Sequence, residues 1–343
     1  RQANVWAGPL PDDLTAGVEL LLPRLLEEAA AQGIEVGLEP YRALIALGTR
    51  RRAAIAQLRP GIGTTPIHSW EAWGETASPD LIDMYGSVGH SPAATAAWLR
   101  LAADRPELAE ARAAAQGYLR RAAQATGVAI PGVMPTCWPT PRFEQVFALQ
   151  AIYLGGLLRH PALAEPMAIQ IDEVGRAMGP AGIGFSDAFA PDGDDTAAAI
   201  TLLHAWGRPV DAAALRSFAN GDHFCAWRRE LQPSLSVTAH AIHALQLFGE
   251  DTAPYERFTV ERQLADGRWP GDKWNGSWLY TTWRVLVALQ ETPRATPVRR
   301  AVAAILANQH GDGGWGEGGS NMEETAYAVL ALRSLARNGR AYD

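Results

Sequence analysis

Four apolar segments recur in this chain with a threonine at the same place in each, and their spacing limits the fold more than any other feature. They read Asp195-Thr196-Ala197-Ala198-Ala199-Ile200, Val237-Thr238-Ala239-His240-Ala241-Ile242, Thr281-Thr282-Trp283-Arg284-Val285-Leu286 and Glu324-Thr325-Ala326-Tyr327-Ala328-Val329. Thr196, Thr238, Thr282 and Thr325 follow one another at 42, 44 and 43 residues. A fixed period of this size marks one supersecondary unit repeated, and a single unit cannot bury its apolar face without neighbours. Each unit reads as helix, turn, helix, with Gly and Pro in the connections and almost no strand signal. The chain is therefore predicted to be all-α. A related segment, Ser91-Pro92-Ala93-Ala94-Thr95-Ala96-Ala97-Trp98, has its threonine 101 residues before Thr196. That gap suits a second copy of the architecture better than one continuous array.

Two of the connections share a second pattern. Gln263-Leu264-Ala265-Asp266-Gly267-Arg268-Trp269 and Gln309-His310-Gly311-Asp312-Gly313-Gly314-Trp315 both run Gln, two residues, Asp-Gly, one residue, Trp. Asp-Gly makes a tight turn, and the flanking Gln and Trp can clasp neighbouring helices. These residues are read as structural. A calcium loop is the competing idea, but neither segment supplies the EF-hand ligand series.

One helix start carries more charge than a helix start needs. Asp192-Gly193-Asp194-Asp195 places three carboxyls in four residues at the head of an apolar helix. Two readings are open. Aspartate caps helix N-termini and suits the positive end of the dipole, so this can be a plain start. If the end is buried, repulsion and poor solvation would instead hold a carboxyl protonated near neutrality, as a proton donor facing an apolar pocket.

The 343 residues are 48% hydrophobic, enough for one large or two medium cores. A formal charge of −7 gives no basic field, so nucleic acid is not an expected partner. Cys137 and Cys225 make neither a metal pattern nor a disulfide framework, which points to a reducing, cytoplasmic setting. No apolar run reaches membrane-spanning length and no signal peptide is visible. Arg1 stands where a start methionine would, and the chain stops soon after a helix-like run, so a longer natural chain is expected. Lys273 is the only lysine.

Together these motifs resemble the class II terpene cyclases, which fold as α/α barrels. Asp192-Gly193-Asp194-Asp195 matches their DxDD motif, and the two Gln…Trp turns match their QW motifs. The upstream half is similar to the bacterial class II diterpene cyclases, which include the copalyl diphosphate synthases. Pro66-Ile67-His68-Ser69-Trp70-Glu71-Ala72-Trp73-Gly74 resembles their Leu-His-Ser-Leu-Glu-Gly segment, and Gly86–Ala96 their Gly-Ser-Phe…Ser-Pro-Ala-Ala-Thr-Ala stretch. Pro135-Thr136-Cys137-Trp138-Pro139 aligns with Pro-Asn-Val-Tyr-Pro, and Asp272–Ser277 resembles a lysine-bearing segment of the bacterial members. The resemblance covers most of residues 60–335. It implies two α/α-barrel domains, a γ-like domain over 1–130 and a β domain over 131–343, with the substrate cavity between them. Asp12-Asp13-Leu14-Thr15-Ala16 lacks the last acid of the class I DDxxD motif, so ionisation of a diphosphate is not expected.

By this resemblance Asp194 protonates the terminal alkene of geranylgeranyl diphosphate, while Asp192 and Asp195 position it and tune its acidity. The tertiary cation then closes two rings to a copalyl diphosphate, in a site that must exclude water. Trp70, Trp73, Trp138 and Trp227 are candidates for cation–π stabilisation, and ordinary core for each of them is the competing reading. Family members making the ent isomer end the cascade with a water held by His and Asn. His68 matches the histidine and Thr136 replaces the asparagine, so the ent isomer is expected on one matching residue and one departure. His90, His204, His240 and His243 read as structural or partly exposed. For the diphosphate, Lys273 leads, with Arg142 and Arg284 behind it. Magnesium is the expected cofactor, with Glu75, Asp80 and Asp83 in the place of the family's acidic segment, although a solvated loop fits the irregular spacing as well. Expected partners are the substrate, a separate class I diterpene synthase that takes the product, and a second copy of the chain if it dimerises. Rival readings are a class II cyclase acting on squalene or a meroterpenoid, a zinc-dependent prenyltransferase subunit, a glycosidase, and a toroidal binding module without catalysis.

Overall fold

The computed structural model describes residues 17–337 except 129, 229, 231 and 291–294, together with Gly8 and Leu10. The Asp12–Ala16 segment lies outside the described residues. The described chain is all-α apart from one two-stranded hairpin and a few isolated bridges. It divides into two compact units, Arg1–Pro141 with Ser186–Ala190, and Arg142–Phe185 with Pro191–Asp343. The boundary expected from sequence, between 130 and 131, falls short of this changeover and leaves out the short 186–190 excursion.

The first unit holds α1 (Val18–Ala31), α2 (Arg42–Leu58), α3 (Pro92–Leu101) and α4 (Ala109–Ala125), with a 3-10 segment over Thr65–Ala72. Helices α1 and α2 pack so closely at Gly48 that a Cβ there would lie 2.0 Å from the Glu19 carbonyl oxygen. Trp70, Trp98 and Tyr118 form the bulk of the buried aromatic core. The 186–190 excursion is tied down by a histidine. His90 Nδ1 donates to the Pro139 carbonyl at 2.9 Å, which leaves Nε2 to accept from Ser186 Oγ at 2.9 Å.

The second unit contains α5 (Pro141–Leu154), α6 (Ala164–Ala177), α7 (Gly193–Trp206), α8 (Ala213–Arg216), β1 (Ala219–Asn220) and β2 (His223–Phe224). It continues through α9 (Leu235–Gln246), α10 (Ala253–Glu261), α11 (Trp278–Leu289), α12 (Ala295–Ala307) and α13 (Met322–Arg337). Helices α7, α9, α11 and α13 pack each on the next, and α6, α10 and α12 lie outside them. Every residue from Leu235 to Leu245 is buried, as expected of a helix that is apolar on all sides.

The four periodic threonines do one job. At the head of each inner helix the hydroxyl accepts from a backbone N–H in the incoming loop. Thr196 takes Ile183 at 3.1 Å, Thr238 takes Phe224 at 3.0 Å, Thr282 takes Trp269 at 3.1 Å and Thr325 takes Trp315 at 2.9 Å. Each bond satisfies a backbone donor that burial would otherwise leave unpaired. Thr95, in the first unit, does the same for Val88 at 2.9 Å. The Gln…Trp turns complete the device. The indole of Trp269 donates to the Thr259 carbonyl at the end of α10, and that of Trp315 to the Ile305 carbonyl near the end of α12, at 2.8 and 2.7 Å. Gln263 Nε2 donates to the carbonyls of Gly267 and Pro297, both at 2.9 Å, while Gly267 turns the chain at φ 93. Outer helix, turn and next inner helix are thus fastened by one tryptophan at both ends. No helix of the described residues is long and apolar enough to cross a membrane.

Candidate active site

The acid tetrad opens α7, and its first member is a cap. Asp192 is in extended conformation and its Oδ1 accepts from the Asp195 N–H at 2.8 Å. Ser91, Ser234 and Asn321 hold the same place at the heads of α3, α9 and α13. The capping interpretation therefore holds for Asp192, and it accounts for one carboxyl of three. Gly193 is required by space, because a Cβ there would come within 2.7 Å of the Cys225 carbonyl oxygen.

Asp192 and Asp195 are 5% and 2% exposed, whereas the Asp194 side chain keeps 18% of its surface open. Burial pushes Asp192 up to about 7, against the pull of the helix N-terminal amides. Burial, and then the charges of Asp192 and Asp194, hold Asp195 well above the ordinary carboxylate range. Both shifts favour a proton on Asp192 or Asp195, and Asp194 is the member of the cluster whose side chain keeps access.

Asp194 Oδ1 meets His240 Nδ1 of α9 in a short hydrogen bond. His240 is 1% exposed, and burial followed by the positive charge of Arg284 lowers its affinity for a second proton. Both effects favour the neutral ring, with Asp194 pulling the other way. Aromatic groups gather around it: Phe147 at 5.6 Å and Tyr280 at 6.4 Å between centroids, with Tyr280 against Trp283 at 6.0 Å and Tyr327 at 5.2 Å. Trp283 and Tyr327 stack at 5.5 Å. A groove of about 700 Å³ lies at the other end of α7, beside Leu203 and Arg208, and none of the acids lines it.

This arrangement corrects several expectations. His240, read as structural or partly exposed, is the direct partner of the proposed acid. The aromatic wall beside it consists of Phe147, Tyr280, Trp283 and Tyr327, none of them among the four tryptophans named from sequence. Trp70 is core, 2% exposed and stacked so close to Gly74 that a Cβ there would overlap its ring. The Trp73 indole donates to the Pro66 carbonyl at 2.9 Å. Trp138 packs on Tyr118, with its carbonyl accepting from the Tyr118 hydroxyl at 2.8 Å, and Trp227 meets Trp274 edge-on at 5.0 Å. Several of the residues gathered here sit at fixed offsets from the repeat threonines. His240, Arg284 and Tyr327 each follow one by two places, and Tyr280 precedes one by two. Superposing the repeats would have shown them on one face.

The diphosphate and metal candidates fare less well. Lys273, with its side chain only 1% exposed, pairs with Glu230 and also donates to the Gln232 carbonyl at 2.9 Å. Its charge is neutralised within the fold, which removes the lone lysine as a free phosphate ligand. Arg142, on the first turn of α5, donates to Gln145 at 2.9 Å. Arg284 is buried and donates to Gln150. Glu75 and Asp80 are exposed, and among the described residues Asp80 is engaged only by Ser78, at 3.4 Å. Asp83 is buried instead, its carboxylate accepting from the Tyr85 and Ser87 amides at 2.9 Å and from the Ser87 hydroxyl. These three do not form a metal cage. Among the described residues no group of three or more His, Cys, Asp or Glu side chains could hold a metal ion.

His68 and Thr136 belong to the first unit. His68 Nδ1 donates to the Gly89 carbonyl at 2.8 Å, which fixes the tautomer and leaves Nε2 as the lone-pair nitrogen. Burial lowers its proton affinity, against the pull of the Gly89 carbonyl, and so favours the neutral ring. Thr136 is exposed in the loop before Trp138, and His204 is exposed on α7. His243 is buried and held neutral, pushed down to about 3 by burial, Arg284 and His240.

Residues 211–338 match the squalene-hopene cyclase C-terminal domain. The chain is 50% identical over 353 residues to a (+)-kolavenyl diphosphate synthase of Herpetosiphon aurantiacus, covering 99% of this chain and 68% of that protein. It is 32% identical to an ent-copalyl diphosphate synthase of Streptomyces sp., covering 96% of this chain and 65% of the relative. Among solved structures, the ent-copalyl diphosphate synthase of Streptomyces platensis superposes with a TM-score of 0.75 at 29% identity, over 98% of this chain and 68% of that one. The chain thus spans about two thirds of the length of the relatives it matches. Periodic inner helices, the acid tetrad at the head of α7 and these similarities lead to one assignment: the chain belongs to the class II diterpene cyclases of bacterial type.

Proposed function

We propose that this chain carries the acid site of an enzyme that cyclises geranylgeranyl diphosphate by protonating its terminal alkene. The observation that carries the reading is Asp194. It is the one partly open acid of a buried, proton-holding cluster, it is bonded to a neutral histidine, and it stands beside an aromatic wall. His240 donates its Nδ1–H to Oδ1 and leaves Oδ2 to bear the acidic proton. An imidazole lone pair without a partner is cheaper to bury than an orphaned N–H, and the unpartnered Nε2 of His240 fits that tautomer. Proton transfer breaks the Oδ2–H bond and forms a C–H bond at the less substituted alkene carbon. The electron pair stays on Asp194, and the His240 N–H steadies the new carboxylate. The resulting tertiary cation closes two rings, and the faces of Phe147, Tyr280, Trp283 and Tyr327 offer about 0.5–2 kcal/mol each to positive charge brought near them. His68 is the proposed terminating base, acting on the cation directly or through a water.

The product retains its diphosphate, so the next enzyme must be one that ionises it, a class I diterpene synthase. Magnesium enters as the companion of the substrate diphosphate, keeping most of its waters, rather than in a protein cage. The two cysteines, both free, fit a reducing cytoplasm. A copalyl skeleton, with the ent isomer foremost, is the first reading of the product. A kolavenyl skeleton is the second, favoured by the relative that shares half its residues with this chain. Incubation with geranylgeranyl diphosphate and magnesium, then dephosphorylation and chiral chromatography, tests all of this. A bicyclic alcohol is expected. Recovery of geranylgeraniol alone from folded, full-length protein would overturn the reading.

A further inference from the structure

Gly89 and His90 both lie in the left-handed region, at φ 58 and 57. Glycine takes that conformation freely, whereas a histidine holds it only where its surroundings over-determine it. Here they do. His90 is buried, its carbonyl accepts from the Trp138 N–H and its Nδ1 donates to the Pro139 carbonyl, both at 2.9 Å. Its Nε2 accepts from Ser186 Oγ at 2.9 Å, and its N–H donates to Ser87 Oγ at 3.0 Å. Gly89 packs so closely on the preceding segment that a Cβ there would lie 2.7 Å from the His68 backbone nitrogen. Phe189 meets the His68 and His90 rings edge-on, at 6.3 and 5.9 Å between centroids. The peptide plane joining Gly89 to His90 is thereby fixed, with both of its polar ends engaged. Its N–H goes to Ser87 Oγ, and its carbonyl takes the Nδ1–H of His68 at 2.8 Å. Ser87 Oγ in turn donates to Asp83 Oδ2, while Asp83 Oδ1 accepts from the Tyr85 and Ser87 amides at 2.9 Å. Asp83 Oδ2 also stands 3.6 Å from His90 Nε2, too far for a hydrogen bond. Asp83 and Ser87 are both buried.

We propose that Asp83, Ser87 and the Gly89–His90 peptide form a hydrogen-bond relay that fixes His68 as its Nδ1–H tautomer and keeps the lone pair on Nε2 for the proton released when cyclisation ends. This rests on the reading of His68 as the terminating base. Every donor in the relay points one way, from His68 through the peptide and Ser87 to the Asp83 carboxylate. A hydroxyl that gives its hydrogen to a carboxylate accepts the next N–H more strongly, and an amide with its N–H engaged has a better accepting carbonyl. A neutral imidazole can carry its proton on either nitrogen, and the bond made by one nitrogen decides what the other offers. With the proton on Nε2, that nitrogen would be a donor and could take nothing from a carbocation. In the fixed tautomer the C–H bond beside the cationic carbon breaks and its electron pair becomes the new alkene. The proton bonds to Nε2, directly or through a water, and the imidazolium later returns it to solvent. The positive charge on His68 is then steadied through Nδ1–H by the relay that ends in Asp83. A hydroxyl and a peptide group thus stand between carboxylate and histidine, where a triad joins the two directly. Asp83, Ser87 and His90 are positioning residues, acting through His68.

Nitrogen-15 NMR of histidine-labelled protein reads the tautomer of His68 without any turnover, with His68→Phe used to assign its resonance. In the unaltered enzyme the proton is expected on Nδ1. In Asp83→Asn and Ser87→Ala it is expected to spread over both nitrogens, and Ser87→Thr, which keeps a hydroxyl, should restore the Nδ1–H form. With geranylgeranyl diphosphate, Asp83→Asn and Ser87→Ala should divert product toward alcohols formed by water capture of the cation and toward isomeric alkenes. Their share is expected to rise about fivefold or more, with turnover within about tenfold because the initiating acid is untouched. Ser87→Thr should return the product pattern of the unaltered enzyme. A merely structural role would lower turnover and leave both the tautomer and the product ratio unchanged, which would overturn the proposal. A proton on Nε2 of His68 in the unaltered enzyme would overturn it without any relay variant, so a variant that fails to fold does not protect the idea. If His68→Phe gives the product pattern of the unaltered enzyme, the reading of His68 as the base fails, while the tautomer measurement still decides whether the relay holds the ring.

Discussion

Helices α3 and α7 begin in the same way and do different things. Ser91 caps α3 and Asp192 caps α7, each accepting from the amide three residues on, at 3.1 and 2.8 Å. Four residues after each cap a threonine holds the N–H of the incoming loop, Thr95 that of Val88 and Thr196 that of Ile183. Between cap and threonine, α3 has Pro92-Ala93-Ala94 and α7 has Gly193-Asp194-Asp195. The backbone device is shared, and the chemistry was added in the two positions the device leaves free. Gly193 gives room for the Cys225 carbonyl, and Asp194 turns one side of a cap toward His240. A repeat that tolerates alanine at those positions in one unit can carry two more carboxyls in the other.

The comparison breaks most sharply at the acid itself. Asp194→Asn should lower turnover by roughly 1,000-fold or more while leaving thermal melting within a few degrees, since the cap and the threonine clasp stay in place. Retention of more than about a tenth of the activity by this variant would put the proton donor elsewhere. Next in size are the clasps. Thr95→Val and Thr196→Val should each cost about 1–3 kcal/mol, because each strands a buried backbone donor. Only the second should also depress turnover, and equal loss of activity from both would dissolve the distinction between scaffold and site.

A smaller effect, of opposite sign, is expected at Asp195. Its folded carboxyl holds a proton that the unfolded chain releases above the ordinary aspartate value of 3.8. Stability contributed by this group is therefore present at low pH and lost as pH rises through that value toward neutrality and beyond. Asp195→Asn should melt higher than the parent at pH 8, by about 2–4 °C for each kcal/mol relieved, with the gap closing toward pH 4. An unchanged gap across that range would mean that burial of Asp195 costs nothing. The smallest change is Ser91→Ala, expected to cost about 1 kcal/mol in chemical denaturation with turnover intact. It reports what a cap alone is worth, and hence how little of the role of Asp194 is capping.

Much of this was legible in the residues. The threonine period located the inner helices, the Gln…Trp turns announced their clasps, and the tetrad marked the buried carboxyl cluster at the head of α7. What stayed hidden were partnerships between helices. Nothing near Lys273 in sequence shows that Glu230, far back along the chain, neutralises it. His240 looked like one more buried histidine because its partner lies one repeat earlier on α7. Trp70 and Trp73 attracted notice by their size, yet the aromatic wall is made by Phe147 with Tyr280, Trp283 and Tyr327, the last three brought together by the register of the repeats. Local pattern specifies the device, and register between repeats specifies the site.

The most direct test of the acid follows the proton rather than the protein. With enzyme, magnesium and geranylgeranyl diphosphate in deuterium oxide, the bicyclic product should gain a single deuterium, on the ring carbon that was the less substituted end of the terminal alkene. The same product formed without deuterium, or formed with it at full rate by Asp194→Asn, would contradict protonation by Asp194.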